Sequence, residues 1–306
     1  MRKIRFSPRP EVAEALRPIP GPGQLLVRTE LAGVHAGLVR MLAAGGGADP
    51  GGETIGTVVA AGEGVPGSWI GKIVGGVVFE GVYADYVLAT PALVTEIPTG
   101  IDGADALAVV RGGLVAMGAL RAGRFEKGES VLVTAAASGS GHLAIQIARA
   151  LGAARVVAAV GSPDKAEFAR ECGADAVVGY DGPWGDPVDV VLDGVGGELV
   201  RRGVESLAPH GRLVAYSAGG GSVDAGSLLA ELKTVTGFSV GLLSRAHPDL
   251  VTAYRADLWR LLADGEIRPR HRVFEFADIA TAVDLVRTRR NTGRVAVRTG
   301  SPDSAG

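Results

Sequence analysis

The chain has one cysteine, Cys172, in 306 residues. An intrachain disulfide and a multi-cysteine zinc site are therefore out of reach. Aromatic residues are scarce, at 5%. Charge of one sign is also lacking: 31 Lys and Arg against 33 Asp and Glu leave a net −2. Such a balance offers no field to a phosphate backbone, which argues against a nucleic-acid partner. The 47% apolar content, with so small a net charge, excludes a disordered chain. The N-terminal stretch MRKIRFSPRPEVAEALRP carries charge without an apolar centre, so no signal peptide is expected. The longest uncharged stretch lies between Glu129 and Arg149. Thr134, Ser138, His142 and Gln146 break it into strand, turn and helix, so no membrane partner is expected. A cytoplasmic protein follows as the expectation.

Glycine is what the chain has in excess. Its 47 residues are about twice the usual share of roughly 7%. Glycine serves tight turns and places where backbone must approach a ligand closely. At about 150 residues per domain, the length suggests two domains.

Up to residue 120 the chain is punctuated by Gly and Pro around short β-type runs. These are QLLVRTELAGV (24–34), ETIGTVVAAG (53–62), KIVGGVVF (72–79) and VYADYVLAT (82–90), and they predict a β-rich, barrel-like unit. From about 125, apolar runs alternate with helical spacing: SVLVTA (130–135), HLAIQIARALG (142–152), RVVAAV (155–160), then a helix from Pro163 to Gly173 with Ser162 as N-cap. AVVGY (176–180), VDVVLDG (188–194), ELVRRGVESLA (198–208) and GRLVAYS (211–217) continue the alternation. This is the pattern of a parallel sheet covered on both faces. The fold class is α/β. A doubly wound domain is predicted over 121–265, and a β-rich domain over 1–120 is completed by 266–306. The run Arg287, Arg289, Arg290, Arg294, Arg298 reads as a solvated basic face.

The strongest chemical signal is VLVTAAASGSGHLAIQIARALG. A dinucleotide fingerprint needs a tight turn, bare backbone beside the pyrophosphate and close helix–strand packing. Its three glycine slots fall on Ala136, Ser138 and Gly141. Two are not Gly, yet all are small, and the strand–turn–helix context is right. The helix N-terminus would then meet phosphate with free N–H groups and its dipole. An NAD site expects a carboxylate about 20 residues on. Position 161 is Gly, followed by Ser162, Pro163, Asp164 and Lys165. Ser162 and Lys165 can donate to a 2′-phosphate, so NADPH is favoured over NADH, with Asp164 dissenting.

With those motifs in place, the chain resembles the medium-chain dehydrogenase/reductase superfamily, in its zinc-independent quinone oxidoreductase and enoyl reductase branch. The likeness rests on PGPGQLLVRTELAGVHAG, PGGETIGTVVAAGEGV, VYADYVLATPALVTEIPTGIDGADALAV, VLVTAAASGSG, DGVGG (193–197), GRLVAYS and TGRVAVR, in that order. It implies a GroES-like substrate domain, a Rossmann domain with NADPH in the cleft between them, and hydride transfer to a conjugated C=C or a quinone. It assigns Ala136, Ser138, Gly139, Ser140 and Gly141 to the pyrophosphate. Gly161, Ser162, Lys165 and Tyr180 fall to the 2′-phosphate region. Ser217 and Ala218 fall near the nicotinamide, and Arg294 sits at the family's basic position before the last strand.

The family's zinc-binding GHE triplet reads Gly51, Gly52, Glu53 here, and the catalytic Cys has no counterpart, so no metal is expected. Other departures bear on chemistry. The family's AGVN Asn is His35, the Asp after it is Leu38, and the nearby Tyr of many reductases is missing. His35 is therefore the one titratable candidate for donation to a substrate carbonyl or enolate. The plainer reading makes it a polar replacement for Asn. Arg111 is a lone charge in the apolar run AVVRGG: either a paired or surface Arg, or one facing an acidic substrate. His142 would lie at the helix N-terminus, on the pyrophosphate or facing solvent. The small-molecule reductase has two rivals: the same fold acting as a non-redox cyclase, isomerase or dehydratase, and a non-enzymatic NADPH-binding protein. A homodimer is expected, since TVTGFSVG (234–241) would leave a sheet edge open.

Overall fold

The computed structural model describes residues 1–6, 9–45, 49–217 and 219–300. They form two compact units. One is Met1–Arg111 with Arg270–Gly306, and the other is Gly112–Pro269. The sequence reading placed these boundaries at 120/121 and 265/266.

In the first unit β1 (Arg2–Arg5) pairs antiparallel with β2 (Glu11–Glu14). The long strands follow: β3 (Leu25–Val34), α1 (Ala36–Ala43), β4 (Pro50–Ala61), β5 (Ile73–Glu80), β6 (Tyr86–Ala89), β7 (Val94–Glu96) and α2 (Gly103–Leu107). Gly23, at φ 75°, makes the turn that releases β3 into extended backbone. A π-helical segment, Ala108–Gly113, follows α2.

The second unit holds α3 (Leu114–Ala122), β8 (Ser130–Val133), α4 (Gly141–Ala150), β9 (Arg155–Val160), α5 (Ala166–Glu171), β10 (Ala176–Gly179), β11 (Val188–Asp193), α6 (Glu198–Glu205), β12 (Leu207–Ala215), α7 (Ala225–Glu231), β13 (Thr234–Gly237), α8 (Val240–Ala246) and α9 (Pro248–Ala263). Its six strands run β10-β9-β8-β11-β12-β13, every pair parallel. The order reverses at β8, which is where a doubly wound sheet opens a crevice at its strand ends. Leu132, Val157, Val191, Leu199 and Leu213 form part of the core on one side.

The chain then returns to the first unit as β14 (His271–Glu275), α10 (Ile279–Arg287) and β15 (Arg294–Arg298). That seven-stranded sheet runs β14-β15-β3-β4-β5-β7, with β6 also on β3. Leu25, Val27, Val34, Leu38, Tyr83 and Val297 belong to its core. The tail is thus part of the first unit's sheet.

Several details differ from the sequence reading. The edge strand β13 stops at Gly237, because Ser239 caps α8 by accepting from the Leu242 N–H at 3.4 Å. The helix after β9 opens as a 3-10 turn, Pro163–Lys165. Ser162 stands at its N-cap position without capping it, since its hydroxyl donates to the Asp164 carboxylate instead. The basic run is not one solvated face: Arg294 is 4% exposed. It starts β15, whose first four residues are buried. The helical stretch Gly103–Ala122 is long and apolar enough to cross a membrane, but 78% of its apolar window is buried within the fold. Such burial marks a core helix.

Candidate active site

The cradle of the second unit is built at the end of β8. Three backbone features shape it. Ala135 takes a left-handed conformation, φ 49°, unusual for a residue with a Cβ. Its N–H donates to the Tyr180 hydroxyl oxygen at 3.1 Å, which holds that turn. Ser138 then braces the start of α4, whose N-cap position is Ser140: the Ser138 Oγ accepts from the Gly141 N–H at 3.1 Å. Gly141, the first residue of α4, lies so close to the turn that a Cβ would collide with the Ala135 carbonyl and stand 2.9 Å from Ala136 Cα. The third slot of the fingerprint therefore needs Gly for helix–strand packing, whereas the first two tolerate Ala136 and Ser138.

His142 is fully buried, not solvent-facing. Its Nδ1 lies 2.9 Å from the Ser138 carbonyl, and its ring packs against Phe168 at 6.1 Å. An imidazole drawn back onto the preceding turn leaves the helix terminus to backbone N–H groups.

Asp193, buried at the end of β11, ties the cradle to the DGVGG turn. Its carboxylate accepts from the Thr134 hydroxyl at 2.8 Å and from the N–H groups of Val195 and Gly196 at 3.2 and 2.9 Å. Thr134 in turn accepts from the Gly194 N–H at 2.9 Å. Ser217 donates to the Val195 carbonyl at 3.1 Å. The Tyr216 hydroxyl is buried with no hydrogen bond among the described residues. Burial, then the charge of Asp193, pushes its pKa up, so it stays a neutral phenol. Gly161 closes the far side, where a Cβ would sit 3.1 Å from the Tyr180 ring.

The structure thus sets Ala136, Ser138, Gly139, Ser140, Gly141, Tyr180 and Ser217 just beyond the ends of β8, β10 and β12 of one parallel sheet. Gly161, Ser162 and Lys165 follow β9 next to them. Ala218 lies outside the described residues. His35 and Arg294 belong to the first unit.

There they meet three residues that form a buried polar cluster. Glu53, on β4, is fully buried and ion-pairs with Arg294 on β15. Arg111, on the π-helical segment, brings its Nε to 3.6 Å from Glu53 Oε2. Tyr83 donates its hydroxyl to the Gly33 carbonyl at 2.7 Å. Gly33 itself leaves the space that the Glu53 carboxylate and Arg294 guanidinium fill, and a Cβ there would land on both.

His35 is the N-cap of α1. Its Nδ1 accepts from the Leu38 N–H at 3.1 Å, so the proton of the neutral ring belongs on Nε2. Nε2 is buried and faces the Gly51 backbone without a hydrogen bond of good geometry. Burial, then the Arg111 and Arg294 charges, hold its pKa well below the usual imidazole value. At neutral pH it is a hydrogen-bond donor, not an imidazolium.

This donor set does not suit a catalytic zinc, which wants Cys, His or carboxylate lone pairs facing one point. Both Glu53 oxygens face guanidinium groups, the His35 Nδ1 lone pair faces an N–H, and Gly51 and Gly52 offer no side chain. A second group, Asp102, Asp105 and His271, brings its ligand atoms within 4.8 Å of one another. Local structure accounts for it. Asp102 caps α2 through the Ala104 and Asp105 N–H groups, and Asp105 pairs with His271 at 3.2 Å.

Sequence reasoning takes Glu53 and Arg111 separately and misses their convergence. The triplet position of Glu53 and the lone charge of Arg111 were the available signals. Neither names its partner.

Comparison with known proteins places this geometry. Residues 139–255 match the family described as zinc-binding dehydrogenase. The chain is 30% identical to a mycocerosic acid synthase-like polyketide synthase of Mycolicibacterium smegmatis, covering 92% of this chain and 14% of that protein. It therefore spans about a seventh of the length of such a synthase. It is 28% identical to prostaglandin reductase-3 of Mus musculus, over 98% of this chain and 89% of that one. The quinone oxidoreductase of Thermus thermophilus, solved alone and with NADPH, superposes with a TM-score of 0.84 at 28% identity, covering 97% of this chain and 100% of that one. The reductase and the quinone oxidoreductase are matched over nearly the whole of this chain. The chain belongs to the medium-chain dehydrogenase/reductase superfamily, in its quinone oxidoreductase and enoyl reductase branch.

Proposed function

We propose that the chain is an NADPH-dependent, zinc-independent reductase that delivers hydride to a conjugated enone, an enoyl thioester or a quinone. The cradle carries this reading: small residues at each fingerprint slot, Gly141 packed onto the turn, and a strand–turn–helix passage from β8 into α4. A relative 28% identical over nearly the whole chain has been solved with NADPH.

When bound, the cofactor supplies the hydride, and the chain's residues bind and orient it. Ala136 to Gly141 hold the pyrophosphate through backbone N–H groups. Ser162 and Lys165 hold the 2′-phosphate, with the exposed Ser162 hydroxyl turning away from Asp164 to do so. Tyr180 fixes the turn from beneath, and Ser217 borders the nicotinamide end. His35 donates its Nε2–H to the acceptor as a neutral group. Arg294 acts through Glu53, which it holds in place. A second copy of the chain pairs along β13, beside which Leu229, Leu232 and Leu242 are exposed. The lone Cys172 is buried, in keeping with a cytoplasmic location.

The test is NADPH oxidation, followed at 340 nm with a panel of enones, enoyl thioesters and quinones, and then with cofactor deuterated at C4. Deuterium should appear in the reduced product. Product formed without NADPH consumption would establish the non-redox alternative, and no NADPH binding at all would remove the reading.

A further inference from the structure

We propose that Arg111 makes the buried cluster of the first unit a carboxylate-binding subsite, so that the acceptors this chain reduces carry a carboxylate. The subsite stands on its own geometry, while the substrate class rests on the reductase reading above.

The argument begins with charge. The cluster holds one carboxylate, Glu53, against two guanidinium groups, Arg111 and Arg294. Among the described residues neither arginine has any other acidic partner. His35 is neutral there, and Tyr83 keeps its proton because burial pushes its pKa up. One positive charge is left over. A buried, uncompensated cation is costly, and a ligand of opposite charge removes that cost.

The surplus is located at Arg111. Arg294 and Glu53 are closed off, at 5% and 0% side-chain exposure, while the Arg111 side chain is 27% exposed. Arg111 turns Nε toward Glu53, and its two Nη groups make no hydrogen bond to any described residue. A guanidinium edge with free parallel N–H groups matches a planar carboxylate in bidentate fashion. The charge also fits: a monoanion neutralises the surplus, whereas a phosphate dianion would leave net negative charge beside Glu53. His35 supplies a further donor nearby, its buried Nε2–H lacking a good acceptor.

The local backbone supports the same view. Arg111 follows Val109 and Val110, both fully buried, in a π-helical turn. Such turns are rare and recur at functional sites. A merely solvated arginine would need no such placement.

The experiment compares levulinate (4-oxopentanoate) with its neutral methyl ester, binding to the intact chain by calorimetry, with the His35 imidazole signal followed by NMR. We expect levulinate to bind at least about tenfold more tightly than the ester, a difference of one decade in Kd. It should also shift the His35 resonance. Arg111→Gln should erase the preference, and Arg111→Lys should keep part of it. Equal binding of acid and ester to the wild-type chain, no saturable binding of the acid, or an acid preference that survives in a folded Arg111→Gln protein overturns the proposal. The wild-type comparison decides alone if Arg111→Gln does not fold. A kinetic arm uses 4-oxopent-2-enoate and its methyl ester with NADPH. Equal kcat/KM for both would sink the substrate class while leaving the reductase intact. Absence of turnover with either would sink the reductase while the binding arm still judges the subsite.

Discussion

Glu53 and Arg111 meet through Oε2 and Nε at 3.6 Å inside the first unit, and Arg294 takes the other oxygen of the same carboxylate. One buried acid on β4 thus anchors two cations, brought by the π-helical segment and β15. Breaking such a set from its acidic side leaves buried positive charge without compensation.

Glu53→Gln should therefore destabilise the fold by about 3–5 kcal/mol, the cost of stranding a buried ion. Urea unfolding measures it. Glu53→Gln combined with Arg294→Met should be milder than Glu53→Gln alone, since the stranded charge is gone. A loss below about 1 kcal/mol, the worth of an exposed pair, would contradict the buried arrangement.

Gly141→Ala puts a methyl group into the Ala135 backbone, which cannot step aside as a side chain can. NADPH affinity, read from cofactor fluorescence, should fall by about tenfold or more, or about 1.4 kcal/mol. Gly161→Ala meets only the edge of the Tyr180 ring at 3.1 Å, so its effect should be clearly smaller. Equal effects would place the critical close approach elsewhere.

His35 makes stability depend on pH with a definite sign. Its folded pKa lies well below its ordinary 6.5, so in the intervening range the unfolded chain binds the proton and the folded chain does not. Its contribution is full above about pH 6.5 and is lost as pH falls toward the folded value, at up to about 1.4 kcal/mol per pH unit. His271 runs the other way. Asp105 raises its pKa, and its stabilisation fades as pH rises through the folded value. His35→Asn keeps a capping oxygen for Leu38 and leaves His271 untouched. Unfolding free energies at about pH 7.5 and pH 5.5 should show the wild type losing more than the variant on acidification. An identical loss in both proteins would rule out a buried neutral His35.

The proposed pairing of two copies along β13 predicts a dimer by sedimentation. Gly237→Pro removes an outward-facing edge N–H, since the Phe238 N–H beside it turns inward to the Ala215 carbonyl, and it should shift the population toward monomer without abolishing the fold. A monodisperse wild-type monomer would count against the pairing.

Much of the second unit was legible in the chain itself. Strand and helix periods differ, so SVLVTA, RVVAAV and VDVVLDG could be read as β8, β9 and β11, with a small-residue turn ahead of α4. Details set by neighbours were less legible. TVTGFSVG looked uniformly β-like, yet Ser239 captures the Leu242 N–H and ends the strand early. The sequence shows Ser162 beside Asp164, but not that the hydroxyl would prefer the carboxylate to the helix end.

Sequence alone determined the two-unit plan, the cradle and the want of cysteine ligands, because these rest on local period, residue size and residue type. Only the tertiary structure decided that Asp193 closes on Thr134, 59 residues away, and that Glu53, Arg111 and Arg294 converge. It also decided that His35 is neutral. Charge balance and protonation depend on what burial brings within a few ångströms, and chain order carries no record of that distance.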